Sequence, residues 1–486
     1  MAETTESAPR PAPGNVAGNV PWLDLLRGGH AAPSAVVGGG MVLHAVNVFI
    51  VATILPSVVH DIGGLRYFAW STTLYVVASL FGAIACARLL GRSGARWAYR
   101  AALATFALGT LMCALAPSMG VLLAGRFVQG LGAGTLSALS FTQVRALFPE
   151  RLWLRALALI SIMWGMATLL GPAVGGVFAQ FGAWRAAFWT LLAITPLFAL
   201  LVEASLPRVA RPGVGVTAPM AWLNLALLTV SVVAISVGSM ALSASGNLAG
   251  LAVAAAGLAL FVRRERHATP RLLPHGACYL AHSLGATYAV MLLLLIGLTV
   301  EIFVPYFLQT LHGLSPLHAG YVSALLSFGW TVGSTVSSGG HARAAGRALA
   351  SGPLVVAAGL LGLAVLMPQS GAGGLTVAAM AACLLAMGLG IGLCWPYLGA
   401  RVFSSAMEGE HALAASSITT VVMVGNALGS ALGGMVTNMA GLSAPGGVAG
   451  AVPAAAWLFG AAMLAPALAA AAVRRRVAIA GAAATA

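Results

Sequence analysis

The sequence predicts an all-α integral membrane protein with fourteen transmembrane spans, and its composition and segment lengths carry this prediction. Of 486 residues, 60% are hydrophobic and only 7% are charged, and the mean hydropathy is +0.96. Soluble domains carry about 25% charged residues, so this composition excludes a soluble enzyme and a disordered scaffold. Each span needs about 20 apolar residues, so fourteen spans use roughly 280 and leave the rest for loops and tails.

Apolar segments of spanning length follow one another along the chain in groups of six, two and six. They lie at 35–59, 70–90, 98–116, 120–145, 155–179, 186–202, 220–242, 247–262, 280–307, 315–337, 350–367, 374–396, 412–437 and 452–472. The grouping predicts a cytoplasmic tail (1–34), a six-helix bundle (35–202), a linker with two inserted helices (203–276), a second six-helix bundle (277–473) and a cytoplasmic tail (474–486). We expect a pseudo-two-fold axis to relate the two bundles.

The arginines indicate how the spans are oriented. All 24 basic residues are Arg, and the absence of Lys excludes a Walker-type phosphate-binding lysine and a Schiff-base lysine. With the N-terminus inside, nearly all loop arginines fall on the cytoplasmic side, and only Arg66 and Arg185 fall outside. This pattern predicts a multi-pass protein of the cell inner (plasma) membrane with both termini cytoplasmic. It also accounts for the net charge of +14 without nucleic acid as a partner.

The sequence lacks the signs of enzyme chemistry. The five cysteines have no metal-ligand spacing, and no HExxH, GxSxG or pair of intramembrane carboxylates occurs. The runs Gly130–Gly134 and Gly388–Gly392 sit mid-span without a preceding strand, so we interpret them as helix packing and not as nucleotide loops. We therefore expect no enzyme activity, no catalytic residues, no metal and no cofactor.

An internal repeat is visible in two short loops. Arg88–Arg96 follows the second span, and Gly340–Arg347 follows the second span of the last six. Both are Gly/Arg stretches at the same place in a six-span unit. Two parallel six-helix halves of this kind are typical of transporters built by duplication.

Glu301 is the most informative candidate residue. It lies in the span 280–307, and we find no other acid well inside a span. An intramembrane carboxyl group is costly and usually faces a wet cavity or a partner, so Glu301 is predicted to carry a proton or contact a ligand. The alternative is a structural pair with a His or an Arg.

Arg126 and Gln129 lie one turn apart on one face of the span 120–145. The Arg126 guanidinium cannot deprotonate, so it can tune a neighbouring acid or bind an anionic group. The alternative is that Arg126 snorkels outward. Gln129 either extends the polar patch or hydrogen-bonds to another helix.

His44 and Asn47 share a face of the span 35–59. His44 can titrate in the physiological range, and the alternative is a neutral hydrogen-bonded pair packed against another helix. Tyr306 and Trp395 are further candidates for a substrate cavity. Trp395 can stack on a flat or cationic solute, or belong to an interfacial aromatic belt.

Several stretches, taken in order, carry a resemblance to a known family. They are Ala52–Pro56, Asp61–Leu65 with Trp70, Arg88–Arg96, Gly125–Gly132, Gly171–Gly176, Trp184-Arg185 with Phe188, Glu265–His267 and Gln309–Gly320. Over residues 40–472 the chain resembles the major facilitator superfamily, specifically its fourteen-span drug:proton antiporter branch. The resemblance implies a role in proton transfer for Arg126 and a cavity lined by spans 1, 4, 9 and 12.

The resemblance also implies a set of gating and helix-packing residues in the 88–96 loop and in the 171–176 run. They are Gly91, Arg92, Gly94, Arg96, Gly171, Pro172, Gly175 and Gly176. We expect the 171–176 run to break its helix locally. Two positions depart from the family pattern: Asn47 stands where the branch commonly has Asp, and Gly91 stands at the signature loop's Asp position.

Together these features predict a secondary active transporter that exports a small amphipathic solute in exchange for protons by alternating access. Proton coupling is assigned to Glu301, Arg126 and His44, and the substrate cavity to Asn47, Gln129, Tyr306 and Trp395. The expected partners are a small-molecule substrate, protons and the lipid bilayer, and the expected state is a monomer. The alternatives are an uncoupled facilitator, an uptake permease or a sensor on a transporter scaffold.

Overall fold

The protein is seen in a computed structural model that describes residues 22–25, 27, 29–206, 221–241, 243–337, 342–371, 373–407 and 409–485. These residues form the helices α1 (Ala31–Ile62), α2 (Phe68–Ala114), α3 (Met119–Leu147), α4 (Trp153–Gln180), α5 (Trp184–Ser205), α6 (Trp222–Gly238), α7 (Ala244–Glu265), α8 (Ser283–Leu298), α9 (Val304–His312), α10 (Pro316–Ser337), α11 (Ala342–Leu366), α12 (Gly374–Ser405), α13 (His411–Met439), α14 (Gly447–Ala462) and α15 (Leu464–Thr485). No strand occurs in this described part of the chain, so the predicted all-α class is confirmed.

Helices account for the predicted apolar segments, with three differences in how they are joined. The second and third segments are two helical arms that meet at a kink within α2. The segment 280–307 is divided between α8, a 3-10 turn at Thr299–Phe303 and α9, and the segment 452–472 is divided between α14 and α15. Ten helical segments of the described chain are long and apolar enough to cross a membrane. Predicted features at residues 1–21, 207–220 and 338–341, which include the start of the second Gly/Arg loop, lie outside the described residues.

The predicted loop 88–96 is a kink at Gly94 between two helical arms of α2, so two helices meet there as predicted but without an extended loop. Helical geometry continues through α2, and only Gly94 departs from it, with φ 76° and ψ 169°. A residue with this positive φ is strongly favoured to be glycine, because a Cβ atom would clash with the backbone. The flanking Arg, Ala and Leu residues are good helix formers, which lets both sides of the kink stay helical.

The predicted break at 171–176 is also absent, since α4 is continuous from Trp153 to Gln180. Pro172 removes one backbone donor, but an apolar membrane offers the neighbouring groups no water to replace helical hydrogen bonds. The glycines serve close packing instead. A Cβ atom on Gly175 would lie 2.9 Å from the carbonyl oxygen of Ile50 in α1, and one on Gly176 would lie 2.6 Å from the Cα atom of Leu317 in α10.

The described helices form two halves and a hairpin between them. The N-terminal half is α1–α5, the inserted hairpin is α6–α7 and the C-terminal half is α8–α15. Within each half, one glycine-rich helix lies against two neighbours: α3 against both arms of α2, and α12 against α10 and α11. The halves meet along a seam in which α2 packs on α13 and α4 packs on α10.

The two glycine-rich helices use their glycines in the same order. In α3, Gly130 and Gly134 contact the first arm of α2, and Gly132 contacts the second arm. In α12, Gly388 and Gly392 contact α10, and Gly390 contacts α11. Backbones approach here so closely that a Cβ atom would overlap the neighbouring helix. This repeated arrangement agrees with the packing interpretation of both glycine runs.

The seam is closed at the end of the molecule where α1 ends and α2 begins, which we call the closed end. Phe68 stacks there on Phe303, with ring centroids 5.2 Å apart. The Thr73 hydroxyl donates to Ser430 Oγ at 3.0 Å. Every hydrogen bond and aromatic contact between the two halves whose partners are both described lies in this half of the seam. The described helices therefore show one conformation, in which the halves converge on one side.

The inserted hairpin is attached to both halves at the closed end. The indole Nε1 of Trp70 in α2 donates to the carbonyl oxygen of Ser236 in α6 at 3.1 Å. The side-chain amide of Asn438 in α13 donates to the carbonyl oxygens of Ser239 at 3.2 Å and Arg66 at 3.0 Å. The hairpin thus covers the α2–α13 side of the seam.

Glu265 is expected to organise the segment 266–282 that leads from the hairpin into the C-terminal half. Its carboxylate is 3% exposed and accepts from the backbone amides of Leu272 at 2.6 Å and Leu273 at 2.7 Å, and from the side-chain amide of Asn224. A buried donor left without an acceptor costs about 1–3 kcal/mol. We therefore expect Glu265→Ala to reduce the hydrogen-exchange protection of Leu272 and Leu273 at least about tenfold.

The matched control for this prediction is Glu410→Ala. Glu410 also binds this segment, through the exposed His275 backbone amide at 2.7 Å and through an ion pair with Arg271 at 3.9 Å. We expect only a small change in protection from the control. Unchanged protection of Leu272 and Leu273 in Glu265→Ala would contradict the assigned role.

Candidate functional site

A buried polar cluster in the N-terminal half is centred on Arg126, which is 2% exposed. Its Nη1 donates to Oε1 of Gln129 at 2.5 Å and to Oδ1 of Asn47 at 3.4 Å. Its Nε donates to the carbonyl oxygen of Ser71 at 3.4 Å. The guanidinium carbon lies 4.0 Å from the ring centroid of Tyr75, in the geometry of a cation–π contact. Helices α1, α2 and α3 therefore converge on one cation.

Tyr75 connects His44 to this cluster. The Tyr75 hydroxyl and His44 Nδ1 are 3.0 Å apart, and the two rings are stacked with centroids 5.8 Å apart. Gln129 extends the cluster in the other direction, since its Nε2 donates to the Thr110 hydroxyl at 2.8 Å. We call His44, Asn47, Ser71, Tyr75, Thr110, Arg126 and Gln129 the Arg126 cluster. The predicted proton-coupling and cavity residues of the N-terminal half, His44, Asn47, Arg126 and Gln129, thus lie together.

The Arg126 cluster contains a cation but no acid. None of the ion pairs between described residues includes Arg126. Its hydrogen-bond acceptors are two amide oxygens and one backbone carbonyl, all neutral. The guanidinium also does not reach outward, so the snorkelling alternative is inconsistent with its burial. Taking a charge out of water costs several kcal/mol, so an Arg retained here without an acid is a functional candidate.

Glu301 lies in the C-terminal half, at the 3-10 turn Thr299–Phe303. Pro305 follows within the first turn of α9, where its missing N–H favours a new helix start over a continued one. The other four residues of the turn are at most 9% exposed, whereas Glu301 is half-buried. Beside it, the Thr299 hydroxyl donates to Oδ1 of Asn426 in α13 at 3.3 Å.

The structure does not pair Glu301 with Arg126. Ion pairs between described residues include neither side chain, so Glu301 has no His or Arg partner among them. The alternative of a structural pair for Glu301 is therefore unsupported. One half thus contributes a buried cation, and the other contributes a half-buried acid.

The two predicted aromatic cavity residues lie apart. Tyr306 is 7% exposed and packs edge-on against Phe68 with centroids 5.5 Å apart, which places it in the closed end of the seam. Trp395 is half-buried in α12 and packs edge-on against Trp330 of α10 at 5.2 Å. The structure therefore brings neither aromatic ring into the Arg126 cluster.

At the opposite end, the kinked arm of α2 is tied to α5. Arg96 and Arg100 both form ion pairs with Glu203, the former also donating to the Glu203 carbonyl oxygen. Arg92 is exposed, and Gly91, which stands at the signature loop's Asp position, is a helical residue without a charge. The acid that pairs with the arginines of this region is Glu203, which lies on α5 and not on α2.

Four residues that complete the two sites are not among those predicted from the sequence: Ser71, Tyr75, Thr110 and Asn426. All are ordinary polar residues in apolar helices, a residue type that occurs throughout this chain. Spacing alone does not indicate which of them face Arg126 or Glu301. One usable signal was the run of polar residues Ser71, Thr73 and Tyr75, which lie two residues apart at the start of α2 and place several polar groups in the first arm of that helix.

Ten helical segments of spanning length and apolar composition in the described chain indicate a multi-pass membrane protein. The chain belongs to the major facilitator superfamily, whose family model matches residues 37–430. The family predicted from the sequence motifs is therefore confirmed.

Relatives and solved structures agree with this assignment. The chain is 39% identical over 427 residues to a probable multidrug-efflux transporter of Mycobacterium tuberculosis, covering 86% of this chain and 90% of the relative. It is 26% identical over 418 residues to a multidrug transporter protein of Bacillus subtilis, covering 82% and 73% respectively. A POT family transporter has the same fold at TM-score 0.63 and 15% identity, covering 92% of this chain and 98% of that one. A D-xylose-proton symporter matches at TM-score 0.62 and 14% identity, covering 91% and 97%.

Proposed function

We propose that this protein exports a small amphipathic solute across the plasma membrane in exchange for protons, by alternating access. The single observation that carries the proposal is the position and environment of Glu301. It is an acid on a helix break inside a membrane-spanning segment, half-buried, and without an ion pair to the other described residues. An intramembrane acid that is not neutralised by a fixed partner is suited to binding and releasing a proton.

Alternating access is supported by the seam. The halves converge at the closed end, through aromatic packing of Phe68 and through the contact of Gly176 with Leu317. Small residues at such an interface allow helices to separate and approach again without large side-chain rearrangement. In the proposed orientation the closed end is the outer end, so this conformation faces the cytoplasm.

Fourteen spans with both termini in the cytoplasm fit the helices. Ten segments satisfy the length and hydropathy of a span, and α2 among them is long enough to cross twice through its kink at Gly94. The helices α3, α6 and α10 complete the set, α6 being apolar but only 17 residues long and α3 carrying the Arg126 cluster. The five predicted regions, from the N-terminal tail to the C-terminal tail, are part of this proposal.

Export, and not uptake, is supported by the relatives. The Mycobacterium tuberculosis relative is described as a multidrug-efflux transporter, and it matches this chain over nearly its whole length. The site residues proposed for the cycle are Glu301, Arg126 and His44 for protons, and Asn47, Gln129, Tyr306 and Trp395 for solute.

The test is pH-gradient-driven flux in proteoliposomes, with fluorescent amphipaths of positive, neutral and negative charge. Glu301→Gln preserves the shape of the side chain and removes its titratable proton. We expect gradient-driven flux to fall to background in this variant, while passive exchange of the same solute persists. Glu410→Gln is the matched control, because it makes the same change in the loop between α12 and α13 and is expected to keep parental flux.

Equal gradient-driven flux in the parent and in Glu301→Gln would show that Glu301 is structural, and His44 would then be tested. A parent that transports solutes but ignores the gradient would overturn proton coupling.

An uncoupled facilitator is the second candidate, and one observation favours it. The Arg126 cluster contains no acid, so it holds no carboxylate whose proton binding the Arg126 guanidinium could tune. If the protein is a facilitator, the pH gradient will not change solute flux in the parent or in Glu301→Gln.

A further inference from the structure

The guanidinium of Arg126 has hydrogen-bonding capacity that the protein does not use. Arg carries five N–H donors, and here Nε and Nη1 have acceptors. Nη2 makes no hydrogen bond to any described residue. No acid balances the positive charge, although the residue is 2% exposed.

Two buried polar groups beside this guanidinium also lack partners. Asn47 and Ser71 are both 0% exposed, and Nδ2 of Asn47 and Oγ of Ser71 make no hydrogen bond to the described residues. Both residues already contact Arg126 through another atom. Oδ1 of Asn47 accepts a hydrogen bond from Nη1, and the carbonyl oxygen of Ser71 accepts one from Nε. The two orphan groups therefore flank the guanidinium from α1 and from α2.

All three unused groups can donate. Nη2 and Nδ2 are donors only, and the Ser71 hydroxyl carries one donor proton. Buried polar groups in native proteins almost always have partners, so three unused donors around one uncompensated cation indicate a missing acceptor with negative charge. A cation would be repelled by Arg126, and a neutral acceptor would leave the charge unbalanced.

We propose that Arg126, Asn47 and Ser71 form an anion-binding site. The shared chemistry is a compact negative group, either inorganic chloride or the carboxylate of a transported solute. The carboxylate source rests on the proposed transport function, whereas binding itself does not. Because Arg126 is buried beside the Tyr75 ring in this conformation, an anion bound to it is shielded from bulk water.

The test is thermal stability of the purified full-length protein in detergent, with sodium sulfate of equal ionic strength as the reference. Chloride, 2-naphthoate and its neutral analogue 2-naphthamide are titrated separately. A ligand that binds only the folded state raises the midpoint of unfolding in a saturable manner. Saturable stabilisation by chloride identifies the inorganic source, and stabilisation by 2-naphthoate but not 2-naphthamide identifies the solute carboxylate.

Asn47→Asp is the decisive variant, because it places a carboxylate where the amide lies, 3.4 Å from Nη1. It balances Arg126 internally and repels a second anion, so apparent anion affinity should fall at least about tenfold. Ser71→Ala removes one donor, keeps the backbone contact to Nε, and should weaken binding about threefold to tenfold. Because Ser71→Ala is the smaller change, it still tests the site if Asn47→Asp fails to fold.

Asn426→Asp is the matched control, since it introduces the same charge in the C-terminal half beside Thr299. It should respond to the anion like the parent. The proposal is overturned if neither chloride nor 2-naphthoate stabilises the parent, or if Asn47→Asp responds like the parent. Loss of the response in Asn426→Asp would also overturn it, because the effect would then be one of net charge. The flux experiment tests transport separately, so the failure of one proposal is distinguishable from the failure of the other.

Discussion

Gly134→Ala should strongly destabilise the protein, although it adds only one methyl group. A Cβ atom on Gly134 would overlap the backbone atoms of Ser79 in the first arm of α2, which cannot rotate away as a side chain can. Over-packing of this kind costs about 1–3 kcal/mol, and more when backbone has to move. We expect a lower unfolding temperature and a smaller monodisperse fraction on size-exclusion chromatography in detergent.

Gly120→Ala, in the same helix, is the control for this substitution. Its Cβ atom would meet only the Ser118 hydroxyl oxygen, at 4.0 Å, so stability should be unchanged. The pair Gly388→Ala and Gly399→Ala repeats the comparison in α12, where Gly388 faces the backbone of Leu326 and Gly399 faces open space. Parental stability of Gly134→Ala and Gly388→Ala would show that the close helix approaches do not limit packing.

Gly176→Leu should open the closed end of the seam. The Cβ position of Gly176 is 2.6 Å from the Cα atom of Leu317, which belongs to the other half, so a larger side chain pushes α4 and α10 apart. The two halves can relieve this overlap by moving apart as rigid bodies. The helices α2 and α3, which meet at Gly134 within one half, cannot. A cost of about 2 kcal/mol in the closed conformation shifts its population about thirtyfold.

The measurement is the distance between spin labels on Phe181→Cys and Leu375→Cys, in a protein whose five native cysteines have been replaced. These positions are 80% and 87% exposed and lie at the closed end, after α4 and at the start of α12. We expect longer distances in Gly176→Leu, with slower flux.

Gly165→Leu is the matched control in α4, because nothing lies within 4 Å of its Cβ position. It should keep the parental distances. Identical distance distributions in Gly176→Leu and in the parent would contradict the assignment of Gly176 to the moving seam.

Arg126 and Glu301 could be chosen as candidate site residues from the sequence for a physical reason. A charged side chain is costly within an apolar segment, so each is conspicuous by its residue type alone. Their surroundings were not conspicuous. Tyr75 binds both His44 and Arg126, yet a Tyr in an apolar helix is unremarkable until the rotation of α2 about its axis is known.

Local backbone structure was predicted less well where Gly, Pro and Arg occur together. The stretches 88–96 and 171–176 were expected to interrupt helices, because glycine and proline weaken a helix in water. Within a membrane, an interrupted helix at 171–176 would leave backbone groups without partners, and α4 stays helical there. At 88–96, helical geometry continues on both sides of a single kink at Gly94. The reverse holds at Thr299–Phe303, where Pro305 divides a segment that hydropathy alone presents as continuous.

Hydropathy, the distribution of Arg and the family motifs were enough to predict the all-α membrane class, the apolar segments and the family, because these depend on transfer of residues into the bilayer and on local sequence. Only the tertiary structure decided which side chains meet. It placed Asn47, Ser71 and Gln129 around Arg126, left Glu301 apart from that cation, and closed the seam at one end. Those outcomes depend on the tilt and rotation of each helix against its neighbours, which close glycine contacts set and segment hydropathy does not.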